Sequence, residues 1–346
     1  MSQTSREIVT RTLKFQYPER IARDLWCLPW AEKHHPKELA ELKEKYPTDF
    51  GYPPNIYNKS TVEKGDPHAV GTYIDPWGCI FTNIHDGIIG EVKTPLVEDL
   101  SDLSPLHIPN EIMPTDRQKA IDTVNRFCDQ SDKFVFAACC PRPWEQMQFI
   151  RGTMNAMMDV MTPDGGAKKL LAVMQEFYLR QMDFWAKTNV DSLMFMDDWG
   201  SQNSLLIPPS IWEELFKPMY KEYCDIAKAC GKFIFMHSDG CITEIYPHLV
   251  EIGVSAVNSQ LFCMDMEKIS KIAKGKLTFW GEIDRQHVLP NPDTNKTIEA
   301  VNKVAKYLYD PSGGIIAQFE FSPGLYPPNA TAVYEQWNKI HRQAVK

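Results

Sequence analysis

The sequence predicts an α/β protein, and within that class a closed (β/α)8 barrel whose elaborated N-terminal region contains a β-hairpin. From residue 133 onward, six short apolar runs alternate with amphipathic runs of helix length. This rhythm indicates a parallel sheet covered by helices on both faces. An open doubly wound sheet is the alternative, but no strand is followed by a GxGxxG turn or a P-loop. With two early strands added, the 346 residues fit one eight-stranded barrel.

The first part of the chain, residues 1–130, reads as an irregular elaboration that holds the first strands of a single domain spanning residues 1–346. A polar helix is predicted over residues 5–15, and the apolar run 21–28 fits the first strand. Residues 46–57 are rich in Pro, Tyr and Asn. Residues 72–95 are β-branched and punctuated by Gly, which predicts a β-hairpin or meander.

The second part, residues 131–346, reads as regular βα repeats. Strands are predicted over residues 134–138, 192–196, 233–236, 256–258, 277–280 and 315–319. Helices are predicted over residues 165–187, 209–229, 242–252, 264–273, 294–309 and 329–344. Pro218 predicts a kink in the second of these helices, because proline lacks the N–H that an inner helical turn requires.

The composition of the chain limits the kinds of molecule that we expect it to bind and the compartment in which we expect it. The chain is 43% hydrophobic and carries a net charge of −8, which is typical of a soluble globular protein and disfavours nucleic-acid or anionic-membrane partners. Nine cysteines without paired spacing indicate free thiols in a reducing compartment. The N-terminal residues lack the apolar core of a signal peptide, so we expect a cytoplasmic protein. A homodimer is left open.

Polar residues follow the predicted strands. In an α/β barrel the active site forms at the C-terminal ends of the strands, so these residues are expected to converge on one mouth. No single one of them is a strong signal, but six strand ends with the same character form a pattern. The residues are Arg142, Asp197, Asp198, Trp199, Gln202, His237, Asp239, Asn258, Gln260, Glu282 and Glu320.

Three of these residues are catalytic candidates. Asp197 and Asp198 are adjacent, so along a strand they point to opposite faces and at most one points straight into the mouth. Helix capping or an ion pair is the alternative role for either. His237 ends an apolar strand, where an imidazole can carry a proton or bind a metal, although a purely structural histidine is the alternative.

A metal site is predicted from His237, Asp239, Glu282 and Glu320. Histidine and carboxylates form a ligand set that Zn²⁺ accepts. The alternative for the two glutamates is hydrogen bonding to Arg142 or to backbone amides. The chain has no CxxC pair, no GxSxG and no HExxH motif, which removes the simplest hydrolase and metalloprotease hypotheses.

The predicted substrate-binding residues combine aromatic rings with polar groups. An apolar wall with a few polar groups suits a planar small molecule. The candidates are Trp26, Arg142, Trp199, Gln202, Asn258, Gln260 and Tyr326.

Three segments carry a family resemblance. They are residues 196–260, which begin MDDWGSQN and contain FMHSDG, then TFWGEIDRQHVLP at 278–290 and GGIIAQFEFSPGLYPPNA at 313–330. These segments resemble the uroporphyrinogen decarboxylase superfamily, which also contains the cobalamin-dependent methyltransferases. The resemblance runs over residues 130–346, with a weaker trace at PERIARDLWCLPW. It implies a (β/α)8 barrel with a deep mouth.

The residues depart from the decarboxylase pattern at two places. Those enzymes carry an arginine-rich motif in the first barrel loop, whereas in this chain DLWCLPWAEKHH follows Arg23 without an arginine. They also carry a histidine before the Gly-Leu-Tyr-Pro of the last strand loop, where this chain has Pro323. Porphyrinogen decarboxylation is therefore disfavoured and stands as the alternative function.

The methyltransferase branch resembles the chain differently. Its zinc ligands include a His-x-Cys where His237-Ser238-Asp239 stands, and a Cys near the last strand, where Phe319 or Glu320 stands. With Asp239 in place of the cysteine, the ligand set is harder and suits an oxygen substrate. The resemblance thus implies methyl transfer from an O-methyl or N-methyl small molecule to a corrinoid, with zinc polarising the leaving oxygen.

The corrinoid is expected on a separate partner protein, because the predicted single barrel over residues 1–346 includes no separate cobalamin-binding domain. Three other hypotheses stay open beside the methyltransferase. They are a metal-free decarboxylase or lyase, a non-catalytic binding protein on an inherited barrel, and a glycoside hydrolase built on Asp198 and Glu282.

Overall fold

The computed structural model describes residues 2–162 and 165–344. Its strands are β1 (Ala22–Cys27), β2 (Phe50–Gly51), β3 (Gly71–Ile74), β4 (Ile80–Asn83), β5 (Glu91–Val92), β6 (Phe134–Val135), β7 (Ser192–Met196), β8 (Phe233–Ser238), β9 (Ala256–Ser259), β10 (Thr278–Trp280) and β11 (Ile315–Phe321). Its helices are α1 (Ser5–Leu13), α2 (Pro29–His34), α3 (Pro36–Lys45), α4 (Arg117–Gln130), α5 (Pro143–Arg151), α6 (Thr153–Met161), α7 (Gly165–Ala186), α8 (Pro209–Leu215), α9 (Lys217–Ala229), α10 (Tyr246–Ile252), α11 (Met266–Ala273), α12 (Thr294–Leu308) and α13 (Pro327–Ala344).

A curled parallel sheet of six strands organises the molecule. Its strand order is β1-β11-β10-β9-β8-β7, and every neighbouring pair is parallel. A parallel two-stranded ribbon, β2-β6, lies beside both ends of this sheet. Asp49 donates its N–H to the Arg23 carbonyl at 2.9 Å, and Asp191 donates its N–H to the Val135 carbonyl at 2.8 Å. The α/β class with parallel strands is therefore confirmed.

The side chains inside the curve of the sheet form layers. Adjacent β1 and β11 are in register, with Ala22 beside Ile316, Asp24 beside Gln318, and Trp26 beside Glu320. The layer of Ala22 and Ile316 is apolar, and the layer of Asp24 and Gln318 is polar and buried. The layer of Trp26 and Glu320 lies where the strands end. The apolar layer belongs to a core cluster to which α1 contributes, so α1 covers the end where the strands begin. That cluster comprises Ile8, Val9, Leu13, Ala22, Phe50, Phe134, Phe136, Phe235, Ala256, Trp280 and Ile316.

The predicted strands of the second part are all present, but three of them are longer than predicted: β9 by one residue, and β8 and β11 by two residues each. In β8 the ladder continues past residue 236, since His237 pairs with Met196 on one side and Asn258 on the other. In β11 the ladder continues past residue 319, since Glu320 pairs with Trp26. His237 and Glu320 therefore lie within strands, where backbone pairing holds them, and not in the loops that follow.

Proline explains how several helices differ from expectation. The helix predicted over residues 209–229 divides at Phe216, just before Pro218, which confirms the break. The helix predicted from residue 242 begins at Tyr246 because Pro247 occupies its first turn. Residues 1–130 are more regular than predicted, since they contain α2, α3 and α4. Residues 72–95 form part of an antiparallel meander, β3-β4-β5.

Two compositional expectations can be compared with the structure. None of the nine cysteines, which all lie in the described ranges, forms a disulfide. Across residues 2–162 and 165–344, no helix combines the length and the hydropathy needed to cross a bilayer.

Candidate active site

The C-terminal ends of β7 and β8 bring together a cluster of two carboxylates and one imidazole, Asp198, His237 and Asp239. The His237 Nε2 atom lies 3.5 Å from Asp198 Oδ1 and 3.8 Å from Asp239 Oδ1. One ligand atom from each residue can be chosen so that all three lie within 4.8 Å of one another. His237 is buried, whereas both carboxylates are partly exposed, so this Asp–His–Asp cluster opens toward the mouth.

The cluster is held by close contact between two loops. Asp239 donates its N–H to Asp198 Oδ1 at 2.9 Å, and Gly200 donates its N–H to the Asp239 carbonyl at 3.0 Å. The backbones meet at Gly200 and Gly240, where a Cβ on Gly240 would lie 2.1 Å from the Gly200 carbonyl oxygen. Gly240 also has a φ of +75°, which L-residues rarely adopt. Glycine is therefore required at this contact to place the two carboxylates.

A second group of charges surrounds Arg285, which lies in the turn after β10. Its guanidinium donates to Asp239 Oδ2 and lies 3.5 Å from Glu282 Oε1 and 3.4 Å from Glu320 Oε1. The predicted metal set is thus divided, because Glu282 and Glu320 face a cation that the protein itself supplies. Asp198 takes their place beside His237 and Asp239. Sequence reasoning missed Arg285 because no motif marks it.

Glu282 is buried among these charges. Burial raises the pKa of Glu282 to about 8, while Arg285 lowers it and the carboxylates of Asp239 and Glu320 raise it further. The raised pKa favours the protonated form of Glu282 near neutral pH. A buried acid with this pKa is suited to donating a proton to a departing group.

The two adjacent aspartates point to different places. Asp197 is fully buried and accepts hydrogen bonds from the backbone N–H groups of Trp144 and Glu145, at 2.9 and 2.8 Å, and from the Tyr220 hydroxyl at 2.5 Å. Its carboxylate thus caps the first turn of α5. Burial raises the pKa of Asp197 well above its ordinary value. The structure places Asp198, and not Asp197, in the mouth.

Capping by Asp197 brings a further carboxylate to the site. Glu145 lies in the first turn of α5, and its pKa is raised by burial; Arg142 lowers that pKa, and Asp198 and Asp239 raise it. Arg142 is the nearest described cation, with Nη1 4.0 Å from Glu145 Oε2. Sequence reasoning missed Glu145 because it stands seven residues after the predicted strand 134–138, on a helix that was not predicted.

Four of the predicted substrate-binding residues lie at the site. The Trp26 ring centre is 5.0 Å from that of His237. Asn258 contacts His237 Nδ1 at 2.7 Å. Gln260 accepts the Gly240 N–H at 3.1 Å, and with Gln202 it lines a pocket of about 60 Å³ that reaches Glu282 and Arg285.

Two of the predicted substrate-binding residues lie elsewhere. Trp199 is fully buried, stacks on Trp144 at 5.1 Å between ring centres, and donates its indole N–H to Tyr220. It therefore belongs to the core, because an aromatic ring after a strand packs wherever a helix covers it. Tyr326 borders a surface groove between α3 and α13 and makes no described contact with His237.

The Asp–His–Asp cluster fits a hard divalent cation. Asp239 Oδ1 is buried and has no hydrogen-bond partner among the described residues, although it lies close to His237 Nε2. An orphaned carboxylate oxygen is costly unless a cation or a proton satisfies it. One imidazole and two carboxylates are ligands that Zn²⁺ accepts, and three protein ligands leave a position open for substrate.

The sequence matches the family described as Uroporphyrinogen decarboxylase (URO-D) over residues 77–335, which is more than half of the chain, so the protein belongs to that family. Its structure is similar to a methyltransferase from Methanosarcina mazei, with a TM-score of 0.68 and 11% identity over 98% of this chain and 99% of that one.

A weaker structural similarity is to a B12-independent methionine synthase from Shewanella sp. W3-18-1. The TM-score is 0.45, with 11% identity over 65% of this chain and 67% of that one. The search of curated proteins gave no match.

Proposed function

We propose that this protein is a methyltransferase that moves a methyl group from an O-methyl or N-methyl small molecule to a corrinoid held by a separate protein. The observation that carries the proposal is the Asp–His–Asp cluster at the mouth, a hard ligand set for zinc. Membership of the URO-D family and the fold shared with a methyltransferase support it. Asp239 stands where the methyltransferase branch carries a cysteine ligand.

The site supplies three functions for this reaction. Zinc bound by Asp198, His237 and Asp239 would act as a Lewis acid toward the substrate oxygen. Glu282, whose raised pKa favours the protonated form, would give a proton to the departing oxygen. A corrinoid held by the partner protein in its Co(I) state would accept the methyl group with its own electron pair, and the departing oxygen would keep the pair of the carbon–oxygen bond and take up the proton. Trp26, whose ring lies beside His237, would form an apolar wall, and Gln202 and Gln260 would offer amides at the rim.

The proposal also takes the sheet to be a closed eight-stranded barrel. The β2-β6 ribbon supplies the two strands missing from the six-stranded sheet. Besides the bond from Asp49 to β1, Ala137 donates its N–H to the Ser192 carbonyl at 2.9 Å, next to a bridge between Phe136 and Ser192. These bonds support a closed ring in which the strand ends share one mouth, open to a docking corrinoid protein.

Metal analysis and single-turnover methyl transfer test the proposal. We expect about one zinc per chain, and methylation of an added corrinoid protein from a methoxy-arene or a methylamine. His237→Ala should abolish both, whereas Glu282→Gln should retain the zinc and slow transfer by about 10²–10⁴-fold. A protein that binds no zinc and methylates no corrinoid with any such donor would refute the proposal.

Decarboxylation is the second candidate, favoured by the family and by the protonated Glu282, since a carboxyl lost as CO₂ must be replaced by a proton. Incubation with uroporphyrinogen, followed by chromatography of the products, decides between the two. Loss of carboxyl groups from the porphyrinogen would favour this second function, and an unchanged substrate would reject it.

A further inference from the structure

Asn258 connects His237 to the backbone of the next strand. It is fully buried between β8 and β10, and its Nδ2 donates to the Trp280 carbonyl at 2.6 Å and to Gln318 Oε1 at 3.0 Å. Its Oδ1 faces His237 Nδ1 at 2.7 Å. Every polar atom of this amide therefore has a partner.

The orientation of the amide follows from the Trp280 carbonyl. A carbonyl oxygen can only accept, so the group that faces it must be the NH₂ end of Asn258. The Oδ1 end must then face His237, and since Oδ1 can only accept, His237 Nδ1 must carry a proton. This chain of donors and acceptors assigns the tautomer of His237 without any assumption about the reaction.

We propose that Asn258 is a positioning residue that holds His237 in the Nδ1–H tautomer, so that Nε2 presents its lone pair to the mouth. The Nε2 atom faces Asp198 Oδ1 and Asp239 Oδ1. Without Asn258, an Nε2–H could donate to either carboxylate, and the lone pair would turn away from the mouth. A histidine that binds a metal through Nε2 requires this orientation.

The Trp280 carbonyl prevents Asn258 from turning, and Gln318 stands at the second N–H of the amide. Gln318 lies in β11, is 1% exposed, and accepts the second Nδ2 proton of Asn258. Gly281 leaves it room, because a Cβ at that position would lie 2.1 Å from Gln318 Oε1. An acceptor stands at each N–H of the Asn258 amide, and rotation of the amide would place its oxygen against the Trp280 carbonyl oxygen, where neither atom can donate.

Nitrogen-15 NMR of the histidine rings in the metal-free protein tests the assignment. At a pH about two units above the ordinary histidine pKa of ~6.5, we expect His237 to be protonated on Nδ1 and not on Nε2. In Asn258→Leu we expect the proton to move to Nε2. Asn329→Leu is the matched control, because Asn329 is also fully buried and donates to two carbonyls, those of Leu289 and Asn291.

The results that overturn the proposal are distinct from failure to fold. Nε2 protonation in the unsubstituted protein contradicts it, and that measurement needs no variant. An unchanged Nδ1–H signal in a folded Asn258→Leu contradicts it too.

A zinc titration adds a second measurement, which rests on the proposed function. We expect the affinity to fall at least ~10-fold in Asn258→Leu and to stay unchanged in Asn329→Leu. Equal affinities in the two variants would reject a role for Asn258 in presenting Nε2 to the metal. Absence of zinc binding in the unsubstituted protein would count against the proposed function and would leave the tautomer assignment to the NMR result.

Discussion

Asp197 and Asp198 are adjacent in the chain but have different roles in the structure. Both carboxylate oxygens of Asp197 accept hydrogen bonds from the first turn of α5, and one also accepts from the Tyr220 hydroxyl. Asp198, in contrast, lies partly exposed beside His237. The alternation of side chains at the end of β7 made opposite directions predictable. Which of the two faces the mouth was not predictable, because it depends on where α5 packs.

Replacing each aspartate by asparagine separates these roles. Asp197→Asn should lower the free energy of unfolding by about 1–3 kcal/mol, because a buried donor loses its acceptor. Asp198→Asn should leave stability within ~0.5 kcal/mol, since its side chain is 38% exposed, and should weaken zinc binding. Urea denaturation and metal titration check both variants. A stable Asp197→Asn that binds zinc weakly, beside an unstable Asp198→Asn that binds it normally, would reverse the two roles.

Asp24 is a second residue at which the surroundings change the pKa of the carboxyl group. It is buried in β1, and one of its oxygens accepts the indole N–H groups of Trp26 and Trp280, at 3.1 and 3.0 Å. Burial raises the pKa of Asp24 to about 6, although Thr48 and the two indoles lower it. The carboxyl therefore holds the Trp26 ring, which lies next to His237, in place.

The raised pKa of Asp24 has a consequence for stability. The folded pKa lies above the unfolded value of ~3.9, so the neutral form stabilises the fold at low pH and this contribution is lost as pH rises through about 6. Compared with Asp24→Asn, the unsubstituted protein should lose roughly 2 kcal/mol of unfolding free energy between pH ~4 and ~7. Denaturation curves across this range measure it, and a constant difference between the two proteins would show that Asp24 does not titrate.

At the scale of elements, regular strands and helices were predictable and their meeting points were not. Periodicity placed β7, β8 and β11 because runs of apolar residues are a local property. The contact between Gly200 and Gly240 joins loops that are about 40 residues apart, and no local pattern reports it. The same applies to α5, whose capping by Asp197 couples it to a distant strand.

Two glycine substitutions compare this contact with ordinary backbone strain. Gly240→Ala should cost more than ~3 kcal/mol of stability and should disrupt metal binding, because the new Cβ would meet the Gly200 backbone. Gly253→Ala is the control, since Gly253 ends α10 with a φ of +90° and has open space around its Cβ position. It should cost only about 1 kcal/mol. Calorimetry of both variants checks the difference, and equal losses would mean that the close approach is unimportant.

At the scale of the whole molecule, Asp49 joins the start of the chain to the sheet. Its buried carboxylate accepts from Ser5 at 2.7 Å, from the Arg20 guanidinium at 2.7 and 2.5 Å, and from the Arg23 N–H at 2.8 Å. Its backbone bonds both Arg23 and Phe134. Asp49 therefore attaches the ribbon β2-β6 to β1, and the neighbouring Thr48 hydroxyl adds bonds to Arg23 and Asp24.

Asp49→Ala should lower the free energy of unfolding by roughly 2–4 kcal/mol, because it leaves a largely buried guanidinium without its partner. Asp86→Ala is the matched control, since Asp86 pairs with Lys33 on the surface and should change stability by less than ~1 kcal/mol.

Hydrogen exchange adds a test of whether the barrel is closed. The Ala137 amide should be as protected as those of β8 in the unsubstituted protein and should lose protection in Asp49→Ala, and rapid exchange in both would contradict a closed barrel.

The sequence by itself determined the α/β class and the parallel strands, which follow from periodicity, and the family, which follows from the resemblance of three segments. It placed His237 and Asp239 at one strand end but did not select Asp198 as the third member of their cluster. Only the tertiary structure decided which carboxylates face the Arg285 guanidinium and which face His237. Arg285 and Glu145 reach the site through a turn and a helix that carry no motif, and Glu282 and Glu320 face Arg285 because of where that turn packs. Local patterns specify elements through short-range sterics and hydrophobic spacing, whereas the pairing of charges depends on distances across the fold.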